Sequence, residues 1–88
     1  MPDDEVEQDY EGVRLATRRS VAMNVTELRV TRQLSQVDLA RRSGITEREL
    51  EDVEAGVGEM LIDTLFSLAD GLNVDVTFLF WKRADDVH

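Results

Sequence analysis

The sequence predicts an all-α fold, and three observations carry that prediction. Residues 34–50 read as two short helices joined by a turn at Gly44. Thr46 is followed three residues on by Glu49, the spacing of a capping box at a helix start. Leu65, Leu68, Ala69 and Leu72 recur at the period of an amphipathic helix. The 88 residues suffice for one domain. A domain this small buries only about 60% of its unfolded surface, so dimerisation would add to a narrow margin of stability.

Taken in order, the chain opens with an acidic stretch, Asp3, Asp4, Glu5, Glu7, Asp9 and Glu11, expected to belong to a disordered tail over residues 1–11. A second reading stays open, in which this strip covers a basic surface until a competitor displaces it. The helix-turn-helix domain is expected over 12–82, with its motif at about 35–55. From Gly12 the charge balance reverses, with Arg14, Arg18, Arg19, Arg29 and Arg32 against Glu27. Leu15, Val21, Val25, Leu28 and Arg32 recur at near-helical spacing, which predicts a first helix up to about Gln33. Asn24 with Glu27 three residues on leaves open a capped restart that would split it.

Ser35 is the expected N-cap of a helix over 36–43, whose Val37, Leu39 and Ala40 share one side. Small Ala40 allows a close helix crossing, Gly44 supplies a left-handed residue at the helix end, and Ile45 then tucks into the core. Thr46 opens the next helix, 46–55, with Leu50 and Val53 inward, and Gly56 ends it. A fourth helix is predicted over 61–71, followed by Asn73 as a turn residue. Asp75 can cap a last short helix over 76–81. Residues 83–88, including the lone His88, are expected to form a frayed polar tail.

Several function classes are excluded by what the chain lacks. It has no cysteine, hence no disulfide and no thiolate metal site. It has no histidine–nucleophile pair, no glycine-rich phosphate loop and no metal-ligand spacing, so no enzyme, no metal and no cofactor are expected. No apolar run approaches the roughly 20 residues that span a bilayer. The acidic start is no signal peptide, and a soluble cytoplasmic protein is expected. Net charge is −9, from 19 acids and 10 bases, the wrong sign for approaching phosphates. Nine of the bases are Arg, a bias explained either by the guanidinium fork or by the base composition of the source genome.

The run Leu34-Ser35-Gln36-x-x-Leu39-Ala40-x-x-x-Gly44-Ile45-x-x-x-x-Leu50-x-x-x-Glu54-x-Gly56 resembles the helix-turn-helix of Cro and phage repressors, the XRE family. Leu65-x-x-Leu68-Ala69-x-x-Leu72-x-Val74-x-x-x-x-Leu79 is similar to that family's last two helices. The likeness covers about residues 21–80 without insertions. It implies a five-helix lambda-repressor-like DNA-binding domain, here with an N-terminal helical extension over 12–20 and the acidic tail.

It also implies roles for particular residues. An Arg at the position of Arg29 pairs in that family with a Glu at the position of Glu54. The pairing suits a carboxylate on the inner side of the third helix, because a charge removed from water needs a partner. Gln36 matches a residue that bonds a backbone phosphate. The third helix would enter the major groove with Thr46, Glu47, Arg48, Asp52 and Glu49. Arg48 would fork onto guanine, Glu47 or Asp52 would accept from cytosine, and Arg41 and Arg42 would neutralise phosphate. Phe66 and Phe78 stand where the family has solvent-facing residues, and Phe80 and Trp81 close the last helix, where related repressors form their two-fold dimer. These four are the expected dimer or partner interface.

The expected function is a small transcriptional regulator, a repressor, bound as a homodimer to a double-stranded DNA operator. Arg14–Arg19 would serve as an arm on phosphates or in the minor groove. The charge favours an alternative. Helix 46–55 carries five acids and one base, and a carboxylate about 4 Å from a phosphate is repelled by about 1 kcal/mol even in water. The alternative is a repurposed helix-turn-helix that binds protein, an antirepressor, anti-activator or antitoxin-like module. Its acidic face would mimic DNA, and Val57, Met60 and Leu61 would add an apolar anchor.

Overall fold

The computed structural model describes residues 3–82, with side chains from Glu11 onward. Among these residues there are four α-helices, a 3-10 helix and no strand: α1 (Asp3–Thr31), α2 (Gln36–Ser43), α3 (Glu47–Ala55), α4 (Ile62–Leu72) and the 3-10 helix Val76–Phe80. The expected tail over 83–88 lies outside the described residues.

α1 is one helix of 29 residues, about 44 Å long at 1.5 Å per residue. Its backbone is helical from Asp3, through the acidic stretch expected as a disordered tail and through Gly12. A single glycine costs a helix only about 1 kcal/mol, too little to stop one, and Glu11 and Arg14 form an i,i+3 ion pair across it at 3.8 Å. Asn24 does not restart the helix. Its side chain is buried and turned to the far end of the chain, where Nδ2 donates to the carbonyls of Leu79 (2.9 Å) and Trp81 (2.7 Å). α1 ends at Thr31, two residues before the expected limit, because Gln33 adopts φ 59° and turns the chain.

The core is a single cluster of Val21, Val25, Leu39, Ala40, Leu50, Leu65, Leu68, Ala69, Leu72 and Leu79. Leu28, Ile45 and Val53 pack against it partly buried, and two other positions expected inward are exposed. Leu15 is exposed because it lies ahead of Ser20, where the full burial of α1 against the core begins. Val37 is exposed because it stands on the open side of the first turn of α2, away from Leu39 and Ala40. Ser35 caps α2 by accepting from the Asp38 N–H, and Gly44 closes it at φ 73°. In the capping box of α3, Thr46 Oγ1 accepts from the Glu49 N–H (3.0 Å) while Glu49 Oε1 accepts from the Thr46 N–H (2.8 Å).

α4 starts at Ile62 with Leu61 in the capping position and no side-chain cap bond, and Asn73 ends it at φ 59°. The last expected helix is a 3-10 helix of five residues. Asp75 caps it by accepting from the Thr77 N–H (2.9 Å) and hydroxyl (2.7 Å), bonds that hold its carboxyl below the ordinary range.

α2 and α4 approach closely where Gly71 faces Ser43. A Cβ built on Gly71 would collide with Ser43 Oγ and lie 3.2 Å from Ser43 Cα. Ser43 Oγ is itself buried without a hydrogen bond among the described residues. This contact brings the first helix of the motif down onto the core.

One carboxylate joins three helices. Glu54 on α3 accepts from Arg29 Nε (2.7 Å) and Nη2 (3.1 Å) on α1, and from Gln36 Nε2 (2.9 Å) on α2. Arg29 Nη1 also donates to the Leu34 carbonyl (2.8 Å). The two charged side chains keep only 16% and 8% of their surface.

Three outcomes test these contacts. In urea unfolding, Glu54→Gln should cost about 3–5 kcal/mol because it leaves Arg29 charged and unpaired, whereas the double change Arg29→Met with Glu54→Leu should recover most of that loss. Gly71→Ala should destabilise by about 1–3 kcal/mol through overpacking, despite the better helix propensity of alanine. Asp75→Ala should lower the melting temperature at neutral pH. A depressed carboxyl pKa adds stability that disappears as pH falls through its folded value, so the gap should narrow in acid below the ordinary carboxylate range.

Candidate nucleic-acid interface

α3 contributes Leu50 to the core, with Val53 and Glu54 half-buried beside it. That anchorage fixes the rotation of the helix and leaves Thr46, Glu47, Arg48, Glu49 and Glu51 exposed, with Asp52 half-buried at the edge. Arg41 and Arg42 are exposed in the last turn of α2. The left-handed turn at Gly44 joins the end of α2 to the start of α3.

The electrostatics of that face differ from a plain count of its acids. Glu54 is turned inward to Arg29 and Gln36. Glu49 is held in the capping box, where a carboxylate at a helix N-terminus is stabilised by the helix dipole. Asp52 lies 3.7 Å from Arg48 Nε, one turn along the helix. The Arg48 side chain is 83% exposed, so this pair is weak and readily exchanged. Glu47 and Glu51 alone on α3 stand unengaged among the described residues.

Gln36, for which the resemblance implied a phosphate contact, has a partner within the chain. It sits half-buried at the first turn of α2, and its amide donates to Glu54 rather than pointing freely outward. That bond is not legible in the sequence, because nothing in the spacing of residues 36 and 54 brings α2 and α3 together at this point. The Arg14–Arg19 segment is part of continuous α1, not an extended arm. Phe66, Phe78, Phe80 and Trp81 are all exposed, Trp81 to 67%. The 3-10 helix carrying Phe78 and Phe80 is tied to α1 by Asn24. Among the described residues no group of three or more His, Cys, Asp or Glu side chains could hold a metal ion, and no helix is long and apolar enough to cross a membrane.

The helix-turn-helix family pattern HTH_3 matches residues 25–79, from the second half of α1 through most of the 3-10 helix. No curated protein matches the chain in sequence. Among solved structures, the hypothetical transcription factor NHTF from Neisseria superposes with a TM-score of 0.75 at 23% identity, over 84% of this chain and 85% of its own. An HTH_3 family transcriptional regulator from Vibrio cholerae gives a TM-score of 0.71 at 27% identity, over 76% of this chain and only 38% of the Vibrio protein. The restriction-modification controller protein C.AhdI from Aeromonas hydrophila gives 0.68 at 28% identity, over 72% of this chain and 96% of its own. The outward α3, the glycine turn before it and the family match over most of the chain agree: this protein belongs to the Cro/XRE-type helix-turn-helix family, HTH_3.

Proposed function

We propose that the chain is a small DNA-binding transcriptional regulator, a repressor, that binds a double-stranded operator as a homodimer. Its frame is the lambda-repressor-like one, with the 3-10 helix as the fifth element. The observation that carries this reading is the exposed end of α3. Thr46, Glu47 and Arg48 project from a helix whose opposite side is locked into the core by Leu50 and Glu54. In a major groove, Arg48 would leave Asp52 for guanine O6 and N7, and the exchange costs little because the ion pair is solvated. Asp52 or Glu47 would then accept from cytosine N4. Arg41 and Arg42 would neutralise phosphates, and Gln36 would reach one only by giving up Glu54. The exposed aromatics Phe66, Phe78, Phe80 and Trp81 supply the dimer face.

A second reading keeps the fold and changes the partner. Glu47 and Glu51 are exposed on α3, and Val57 and Leu61 are exposed in the connection that follows it, an acidic helix with an apolar anchor beyond its end that suits a basic protein surface. This is the antirepressor, anti-activator or antitoxin-like role.

A gel shift with genomic fragments at two salt concentrations separates them. Arg41 and Arg42 from two protomers should give a slope of about −3.6 in log K against log salt. Arg48→Ala should weaken specific binding by about 1–3 kcal/mol and relax the preference at one base pair. No shift even at low salt would remove the regulator and leave the protein-binding module.

A further inference from the structure

A helix seated in a major groove about 12 Å wide has a phosphate backbone on either side of it, and affinity comes largely from neutralising those charges. Ahead of α3 the bases are Arg41 and Arg42, in the last turn of α2. Beyond its C-terminal end the chain supplies none. No Lys or Arg occurs between Arg48 and Lys82, and the connection after α3 presents Val57, Gly58, Glu59, Met60 and Leu61.

α1 brings bases to that end from elsewhere in the sequence. Arg18 lines a recess with Asp52, Val53, Gly56, Val57 and Gly58, where α3 stops. One turn earlier on α1, Arg14 joins Arg18 along a groove with Met60, Leu61 and Ile62, and Glu59 is the acid at its rim. Residues 12–26 carry Arg14, Arg18 and Arg19 and no acid. Asp52, which lies 3.7 Å from Arg48 Nε, also borders the recess of Arg18, so the basic flank of α1 continues from the outward side of α3. Arg14 is 3.8 Å from Glu11 with both side chains more than half exposed, a pair weak enough to exchange for a phosphate. Because α1 is continuous through these positions, the two guanidinium groups are carried on a formed helix, and little backbone order is lost on binding.

We infer that Arg14 and Arg18 bind the phosphate backbone of the operator beyond the C-terminal end of α3. The inference rests on the regulator reading and adds to it a second backbone contact, supplied by α1 in place of the base-free connection. Contacts of this kind fix position and affinity and carry no sequence information.

The test titrates the full chain against salt on a genomic fragment that it shifts. Arg41 and Arg42 alone give a slope of about −3.6 for two protomers, and adding Arg14 and Arg18 steepens it to about −7.2. Arg14→Gln with Arg18→Gln should return the slope to about −3.6 and weaken binding to the fragment and to a shuffled sequence by the same factor. Arg14→Lys with Arg18→Lys should keep the steep slope, because neutralising a phosphate needs only the charge. Hydroxyl-radical footprints of the Gln pair should lose one protected backbone stretch in each half-site and keep the rest. Both pairs should retain the far-UV helicity of the unaltered chain, since Gln and Lys match Arg in helix propensity. A slope near −3.6 for the unaltered chain, or one that the Gln pair leaves unchanged, overturns this inference and leaves the regulator reading standing. No shift of any fragment at low salt removes both.

Discussion

The carboxylate of Glu54 is the interaction on which the arrangement of this small domain rests. α3 has nine residues and a single fully buried side chain, Leu50, too little apolar contact to fix its rotation. Glu54 supplies the missing constraint by accepting from Arg29 on α1 and Gln36 on α2, while Arg29 also holds the carbonyl of Leu34 in the connection between them. A bidentate guanidinium–carboxylate pair sets angle as well as distance. The depth and facing of α3 therefore follow from a polar contact beneath it, and with them the identity of the residues that look outward. The same contact engages the Gln36 amide, so the first turn of α2 is tied to α3 as well.

The charge of the chain is unevenly distributed in a way that composition hides. Of the five acids on α3, one is buried against Arg29, one closes the capping box and one leans on Arg48. What remains toward solvent is two free carboxylates beside three arginines, Arg41, Arg42 and Arg48. The acidity that makes the whole chain −9 is concentrated elsewhere, most heavily at the start of α1. A net charge describes solubility and long-range steering, while the potential at one helix face depends on where each carboxylate is anchored.

The elements whose limits depend on local chemistry were legible in the sequence. Ser35, Gly44, Thr46 with Glu49, Gly56 and Asp75 each act through backbone groups within a few residues, and α2, α3 and the last segment begin or end where they stand. Features that depend on distant parts of the chain were not legible. Asn24 looked like a cap because Glu27 follows it at the right spacing, yet its partners are 55 and 57 residues away. Leu15 and Val37 fit the apolar periodicity, but burial requires something to lie above them, and nothing in a local pattern says where the body stops. Gly71 gave no signal because its role is to admit Ser43 from another helix. At the interface, the order of the outward residues on α3 followed from periodicity, whereas the engagement of Gln36 depended on packing alone.

The amide of Asn24 also has a mechanical consequence. It sits one turn past Ser20, where α1 becomes part of the body, and it grips two carbonyls of the segment that carries Phe80 and Trp81. α1 is a lever with its free arm in solvent and its fulcrum at that amide. Any tilt of the arm must either carry the aromatic strip with it or break both bonds of a buried amide. α1 and the segment Leu79–Trp81 are therefore geared to each other.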